Sequence, residues 1–233
     1  MNKVKSLENY LSISSSKLGI YLFDTKNLKN LYKEELIINE NINSINSDIL
    51  KKFLDNNIFK IEKLSGKFVE DIFLILEDKK IFNLEIGIKK KNYNSSITRE
   101  YIENSLIEAK DLFRENYPNQ EIMHMIINKY FINNKSYSLF EEDLKSDYLA
   151  LEIKFTSISN TMVYDLNKIL ENYQIKIIKF LHENYVKNLF NENKELTEMS
   201  HRVLNGFNDN EVSFLPKKPE KYGFFEKFFQ LFS

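Results

Sequence analysis

One stretch of the chain decides the fold: residues 97–132 read ITREYIENSLIEAKDLFRENYPNQEIMHMIINKYFI. Its first half places apolar side chains at helical spacing and predicts a helix from about Arg99 to Glu115. Pro118 ends this helix, because proline disfavours helical backbone in the residue before it. Its second half is rich in β-branched and aromatic residues and predicts a strand over Ile122–Ile132.

Further strands and helices are predicted on both sides of this stretch. The predicted strands are 10–13, 17–23, 31–38, 71–76, 81–88, 148–155 and 175–181. Three more helices are predicted. The first spans 48–56 after an N-cap at Ser47, the second is capped by Asn160 or Thr161 and runs to about Asn172, and the third spans 183–204. Because strands and helices interleave without a strict β-α-β repeat, we expect an α+β or mixed α/β fold.

Composition limits the classes of function. The 233 residues carry 33 Lys and Arg against 34 Asp and Glu, so no strong basic field recruits nucleic acid. There is no Cys, and there are only three His and five Gly, which leaves little material for metal sites, nucleophiles or phosphate-binding loops. The start of the chain is too polar for a secretory signal, and no apolar run reaches the ~18 residues of a membrane span. We therefore expect a cytoplasmic protein that is not an enzyme and needs no cofactor.

The last residues have a different character. Gly206, Pro216 and Pro219 predict a linker over 205–222, and residues 223–233 read GFFEKFFQLFS. As a helix, this segment is amphipathic and is predicted to lie in a membrane interface. The predicted membrane-contacting side chains are Phe224, Phe225, Phe228, Phe229, Leu231 and Phe232, with Lys217, Lys218, Lys221 and Lys227 facing anionic headgroups. Two alternatives stay open: the segment completes the protein's own core, or it docks in a partner's groove.

A Phe-rich helix after a linker resembles the membrane-targeting helix of the FtsA family of actin-like bacterial cell-division proteins. Residues 97–110 resemble the helix of that family's insert subdomain, and residues 121–132 resemble the strand after it. Other segments that resemble the family are 71–76, 148–155 and 160–173. The resemblance covers roughly residues 10–185 and the terminal helix. It implies an actin-like first subdomain that carries a strand–helix–strand–strand insert.

The first phosphate loop of the family departs from its pattern here. The sequence LSISSSKL, residues 11–18, places Ser12 where the family has the metal-organising Asp, and Ser14 where it has a phosphate-approaching Gly. A hydroxyl lacks the charge of a carboxylate near Mg²⁺, and Ser14 adds a Cβ where the backbone must approach the phosphate. Ser12, Ser14, Ser15, Ser16 and Lys17 therefore form a degenerate loop, and no second phosphate loop follows residue 185.

The resemblance implies a reduced FtsA-like protein that neither binds nor hydrolyses ATP. Its predicted parts are a partial actin-like subdomain over 1–70, the insert over 71–158, a return to the first subdomain with a helical extension over 159–204, the linker and the membrane helix. The implied role is a cell-division adaptor on the cytoplasmic face of the inner membrane, at the division site. Its expected partners are the lipid surface, FtsZ or later division proteins, and other copies of the chain. The alternatives are a nucleotide-binding actin-like ATPase and a type IV pilus assembly adaptor.

Other polar clusters favour structural explanations. His124 lies in an apolar strand and is predicted to be a hydrogen-bonded structural histidine, and His182 and His201 have no partner at metal-ligand spacing. Glu141–Asp143 predicts a solvated turn rather than an acid–base pair. The Lys89–Lys91 run beside Tyr93 is typical of a protected strand edge rather than of a nucleic-acid site. Ser14–Ser16 has no neighbouring base that would make it a nucleophile.

Overall fold

A computed structural model describes residues 6–38, 46–140, 144–190 and 194–212. It contains two sheets and confirms the predicted mixed α/β fold. The strands are β1 (Leu7–Ser14), β2 (Lys17–Asp24), β3 (Lys29–Ile37), β4 (Asp71–Glu77), β5 (Phe82–Ser96), β6 (Gln120–Ile132), β7 (Lys135–Tyr137), β8 (Lys145–Ser159) and β9 (Lys176–His182). The helices are α1 (Ser47–Ser65), α2 (Arg99–Asn116), α3 (Asn160–Glu171), α4 (Glu183–Asn188) and α5 (Leu196–Leu204).

The first sheet has the order β3-β2-β1-β4-β9. β1, β2 and β3 form antiparallel hairpins, whereas β4 and β9 run parallel to β1. Helices α1 and α3 cover one face over a core that includes Leu11, Leu74 and Ile61. Because β4 pairs with β1 and β9, it belongs to this sheet, and the boundary with the insert falls after β4 rather than before residue 71.

The second sheet has the order β5-β8-β6-β7 and is antiparallel. One face is covered by α2, whose Ile102, Leu106, Ala109 and Phe113 are buried. Phe113 stacks on Phe155 of β8 with ring centroids 4.6 Å apart. Thr98 caps α2 by accepting the amide hydrogen of Tyr101. This is the predicted strand–helix–strand–strand unit, extended by the short strand β7.

Several helix boundaries differ from the predicted ones. The first cap is Asn46 rather than Ser47. Helix α1 continues to Ser65, before the Gly66 cap, because Ile58 and Ile61 extend its buried face. The buried Asn57 in that face is satisfied by Tyr32 Oη at 2.6 Å and by the Phe53 carbonyl at 2.7 Å. The cap of α3 is Ser159, whose Oγ accepts from Met162 N. The stretch 183–204, predicted as one helix, contains two helices, α4 and α5.

Helices α4 and α5 pack on the second face of the first sheet. Val186 of α4 and Met199 and Val203 of α5 join a core with Tyr10 and Tyr21 of the sheet. His201 of α5 is fixed by Nδ1, which lies 2.8 Å from Glu8 Oε2. Both faces of the first sheet are therefore covered by the chain's own helices.

The first part of the predicted linker contacts the insert. Val212 N donates to the Met125 carbonyl at 2.8 Å, and Ile127 N donates to the Asn210 carbonyl at 3.0 Å. We call residues 206–212 the docked segment. The remainder of the linker, 213–222, and the terminal segment 223–233 lie outside the described residues, as do all ten predicted membrane-contacting side chains and Glu141–Asp143.

Candidate functional site

The serine loop is a tight turn between β1 and β2. Ser15 and Ser16 form the exposed turn, while Ser14 is almost fully buried. The Oγ of Ser14 accepts the amide hydrogen of Lys17 at 3.0 Å and that of Ser16 at 3.4 Å. A phosphate loop works by aiming free backbone N–H groups at the ligand. Here the Ser14 side chain already accepts from two of the amides that would do so.

The charges around this loop are paired with one another. Lys17 Nζ lies 3.1 Å from Glu35 Oε1, and the same oxygen accepts from Tyr21 Oη at 2.7 Å. Burial opposes ionisation of Glu35, but the hydrogen bonds from Tyr21 and Lys17 outweigh it and hold the pKa of this carboxyl below its usual value. Burial, followed by the hydrogen bond to Glu35, raises the pKa of Tyr21. The ammonium group of Lys17, the cation of this loop, is therefore paired with Glu35.

A buried carboxylate that the sequence analysis missed lies behind the loop. Glu183, at the start of α4, is 4% exposed, and its Oε2 accepts from Ser12 Oγ at 3.3 Å. Its Oε1 lies 2.5 Å from Lys187 Nζ. The only available sequence signal was position: Glu183 directly follows β9, and parallel strands such as β1 and β9 end at the same edge of a sheet.

The neighbouring sheet surface is filled by an aromatic ring. Gly19 is the partner of Ser12 across the β1–β2 pair, and a Cβ at Gly19 would lie 2.3 Å from the Oη of Tyr21. Tyr21 therefore lies directly over Gly19, and helices α4 and α5 close this face of the sheet. Two of the loop's amides are thus bonded by Ser14, its lysine is paired with Glu35, and the Tyr21 ring fills the space over Gly19.

A second polar cluster, which we call the His124 cluster, joins the two sheets. His124 of β6 is buried; its Nε2 accepts from the backbone N of His182 at 2.9 Å, and its Nδ1 lies 2.9 Å from Glu211 Oε1. Since Nε2 accepts, Nδ1 carries the proton and donates to Glu211. Tyr185 Oη donates to Glu211 Oε2 at 2.7 Å, and Lys179 Nζ lies 3.4 Å from Oε1. Sequence reasoning found His124 but missed Glu211, which lies 87 residues away.

The pKa shifts in the His124 cluster follow from burial and from these contacts. Burial lowers the pKa of His124, because the Glu211 carboxylate only partly offsets the cost of a buried positive charge. For Glu211, burial is outweighed by the hydrogen bond from His124, the charge of Lys179 and the hydrogen bond from Tyr185, so its pKa lies below the usual value. The cluster therefore holds a neutral imidazole and a charged carboxylate near neutral pH.

Two residues of the Lys89–Lys91 run have structural partners, and the neighbouring Tyr93 is exposed. Lys89 Nζ lies 3.9 Å from the centre of the Tyr148 ring, and Lys90 Nζ lies 2.7 Å from Glu108. Tyr93 is 81% exposed. Within the described ranges, no group of three or more His, Asp or Glu has the arrangement of a metal site. None of the helices in this part of the chain combines the length and apolarity that crossing a bilayer requires.

No protein-family model matches the sequence, and no curated protein matches it. Solved structures do match. The PilM–PilN type IV pilus biogenesis complex aligns with a TM-score of 0.47 at 10% identity, over 78% of this chain and 48% of the other. The cytoplasmic domain of EpsL, an inner membrane component of the type II secretion system of Vibrio cholerae, aligns with a TM-score of 0.36 at 7% identity, over 78% and 57%. A protein of Bacteroides thetaiotaomicron with an actin-like ATPase fold and unknown function aligns with a TM-score of 0.33 at 13% identity, over 79% and 56%. The chain spans about half the length of these solved structures.

Proposed function

We propose that this protein is a non-catalytic adaptor that attaches a bacterial protein assembly to the cytoplasmic face of the inner membrane. The observation that carries this proposal is the sequence of residues 223–233, whose six large apolar side chains would share one face if the segment is helical. Burying a Phe side chain contributes on the order of 1.5–3 kcal/mol if burial is complete. One such helix binds weakly and reversibly, so firm attachment requires several copies acting together.

The serine loop supports an adaptor rather than an ATPase. The Ser14 hydroxyl bonds the turn amides, and Glu183 places a buried negative charge beside Ser12. A phosphate group entering here would meet a carboxylate and no unpaired lysine from the described residues around the loop. Titration of the full chain with Mg-ATP in a calorimeter is expected to give no binding heat, and measurable binding or hydrolysis would contradict the proposal.

The docked segment gives the terminal segment a fixed starting point on the folded body. Val212 is bonded to β6 of the insert, and Glu211 is held by His124 and Tyr185. The ten residues 213–222 span at most about 35 Å when fully extended. A membrane contact made by residues 223–233 would therefore keep the insert close to the lipid surface.

The finer proposal is that the assembly is the division machinery, with FtsZ or a later division protein as partner. It rests on the resemblance of residues 97–110 and 121–132 to the FtsA insert. The test is localisation of the tagged full chain in dividing cells, compared with the Phe228→Ser/Phe229→Ser variant. We expect a band at midcell for the parent chain and a diffuse signal for the variant.

An exposed aromatic on the folded body provides the control. Tyr164 on α3 is 64% exposed, so Tyr164→Ser removes a surface aromatic without touching the terminal segment. This control should localise like the parent chain. A parent chain that is diffuse, or a double-serine variant that is held at the membrane as strongly as the parent chain, would refute the anchor. Membrane localisation away from midcell would refute the division assignment alone.

A further inference from the structure

The end of helix α1 presents large apolar side chains to solvent. Phe59 is 71% exposed, Leu64 is 59% exposed, and Phe68, just after the helix, is 81% exposed. Exposed apolar groups are common singly, but three within ten residues form a local surface that water solvates poorly. We call this surface, with its intervening residues 60–67, the α1 patch.

Lysines alternate with these apolar side chains. Lys60, Lys63 and Lys67 are all exposed. Among the described residues, none of the three forms an ion pair. At 100° per residue, Phe59, Lys60, Lys63 and Leu64 fall within one stripe of the helix surface about 140° wide. Apolar side chains and cations therefore point in one direction along the last two turns of α1.

The acidic side chain that lies between these lysines on the helix, Glu62, does not lie in the stripe. Glu62 is half-buried, and its Oε1 accepts the backbone N–H of Val69 at 3.2 Å, so it is turned toward the chain after the helix. Gly66 ends α1 in the left-handed conformation, with φ 67°, which allows the chain to reverse and places Phe68 beside the helix end. Phe68 also lines a cavity of about 620 Å³ whose lining is partly apolar, with Leu7, Val69 and Ile178, and partly acidic, with Glu8, Glu70 and Asp71.

We propose that the α1 patch is a second membrane-contacting surface, which binds an anionic bilayer by inserting Phe59, Leu64 and Phe68 among the headgroups while the three lysines pair with lipid phosphates. A lipid surface rather than a protein groove is favoured by the interleaved charge, because lysines depress binding in an apolar protein interface but add to it at an anionic membrane. Its role as a second contact rests on the proposed function, since two weak contacts on one chain increase residence at the membrane.

The experiment measures co-sedimentation of the full chain with phosphatidylcholine vesicles that contain either no phosphatidylglycerol or about one third. The apolar variant is Phe59→Ser/Leu64→Ser/Phe68→Ser, and the charge variant is Lys60→Gln/Lys63→Gln/Lys67→Gln. Each is made in the parent chain and in the Phe228→Ser/Phe229→Ser background. The six substituted positions are all exposed, so neither set of substitutions removes core packing.

Two controls lie away from the α1 patch, one after β4 and one on β5. Lys79→Gln/Lys80→Gln removes two exposed lysines after this strand of 7 residues, about 23 Å from the strand end that follows the α1 patch. Tyr93→Ser removes an aromatic that is 81% exposed, as Phe68 is. Both controls should bind vesicles like the parent chain.

The expected result in the terminal-variant background is residual binding that requires phosphatidylglycerol. The charge variant should weaken this binding by about fivefold per lysine, and raising the salt concentration should mimic that loss. The apolar variant should weaken it at least tenfold, as an order-of-magnitude expectation from the buried area.

Each remaining outcome decides against one proposal or both. If the terminal variant alone abolishes binding and the α1-patch variants bind like the parent chain, the α1 patch is refuted and the anchor stands. If the α1-patch variants lose binding but the terminal variant does not, the α1 patch stands and the anchor is refuted. If the parent chain binds neither type of vesicle, both the anchor and the α1 patch are refuted. Altered oligomeric state with unchanged vesicle binding would assign the α1 patch to a protein contact instead.

Discussion

Glu211 fastens the docked segment to the rest of the protein, and replacing it with glutamine tests how strongly. The carboxylate accepts charge-assisted hydrogen bonds from His124 Nδ1 at 2.9 Å and Tyr185 Oη at 2.7 Å. Glu211→Gln keeps the size of the side chain but leaves one acceptor oxygen: the bond from His124 becomes neutral, and the amide nitrogen, a donor, then faces Tyr185 Oη in place of an acceptor, at a cost of about 1 kcal/mol for each contact. We therefore expect the docked segment to lose about 2 kcal/mol, which corresponds to a roughly 30-fold larger opening constant.

Amide hydrogen exchange measures this opening directly. The reporters are Val212 N, bonded to the Met125 carbonyl, and Ile127 N, bonded to the Asn210 carbonyl. Both should exchange about 30-fold faster in Glu211→Gln, while core amides such as that of Leu74 in β4 keep their rates. Unchanged exchange at Val212 and Ile127 would refute the calculated contribution. Equal acceleration throughout the core would show that the docked segment unfolds only with the whole protein.

The same cluster predicts a pH dependence. The pKa of His124 is lowered in the folded protein, so the unfolded chain takes up a proton first as the pH falls below about 6.5. Stability is then lost by up to about 1.4 kcal/mol per pH unit until the folded-state pKa is reached. The lowered pKa of Glu211 acts in the same direction at more acidic pH. Urea titrations at several pH values measure the slope, and a His124→Gln variant with an equally steep slope between pH 6.5 and 5.5 would contradict the assignment.

Three substitutions test the rest of the structure by urea denaturation. Ser12→Asp restores the acidic residue of the FtsA-type loop but buries it near Glu183. We expect the free energy of unfolding to fall by about 3 kcal/mol or more, and we expect no binding of Mg-ATP. A stable variant that binds Mg-ATP would contradict the structure described for the loop. Gly19→Ala forces a Cβ against the buried Tyr21 and should lower the free energy of unfolding by about 1–3 kcal/mol. An unchanged urea midpoint would show that the Tyr21 ring moves aside without cost. Phe113→Ala removes a ring stacked on Phe155 and should lower the free energy of unfolding by about 3–5 kcal/mol. A loss below 1 kcal/mol would mean that the side chains of the insert core close the cavity left by the ring.

Local pattern was sufficient for the insert. Helix α2 (Arg99–Asn116) ends one residue beyond the predicted Glu115, because its apolar spacing, its Thr98 cap and Pro118 all act within the same twenty residues. The end of α1 was predicted too early. Ile58 and Ile61 continue the helical spacing of Leu54 toward the Gly66 cap, so a local signal was present. Asn57 interrupts the apolar pattern, and the residue that satisfies it, Tyr32, lies 25 positions away on β3.

The serine loop and the His124 cluster show the same limit. The sequence shows that Ser12 and Ser14 depart from the pattern of a phosphate loop. The partners that fill the space were not, because Glu183 is 171 residues from Ser12 and Glu211 is 87 residues from His124. Glu211 also lies in a polar stretch whose composition is typical of a linker. The pairing of β1, β4 and β9 brings Glu183 to Ser12, and the docking of residues 206–212 on β6 brings Glu211 to His124.

The attachment of Val212 to β6 determines the route that a mechanical load takes through the protein. If a partner grips the insert while the residues after Val212 are pulled away, tension falls first on the bonds between the docked segment and β6 and on the contacts of Glu211 with Tyr185 and Lys179. The five-stranded sheet is loaded through those two Glu211 contacts. A sustained pull would therefore peel the docked segment from Val212 toward Gly206 before it unravels any strand.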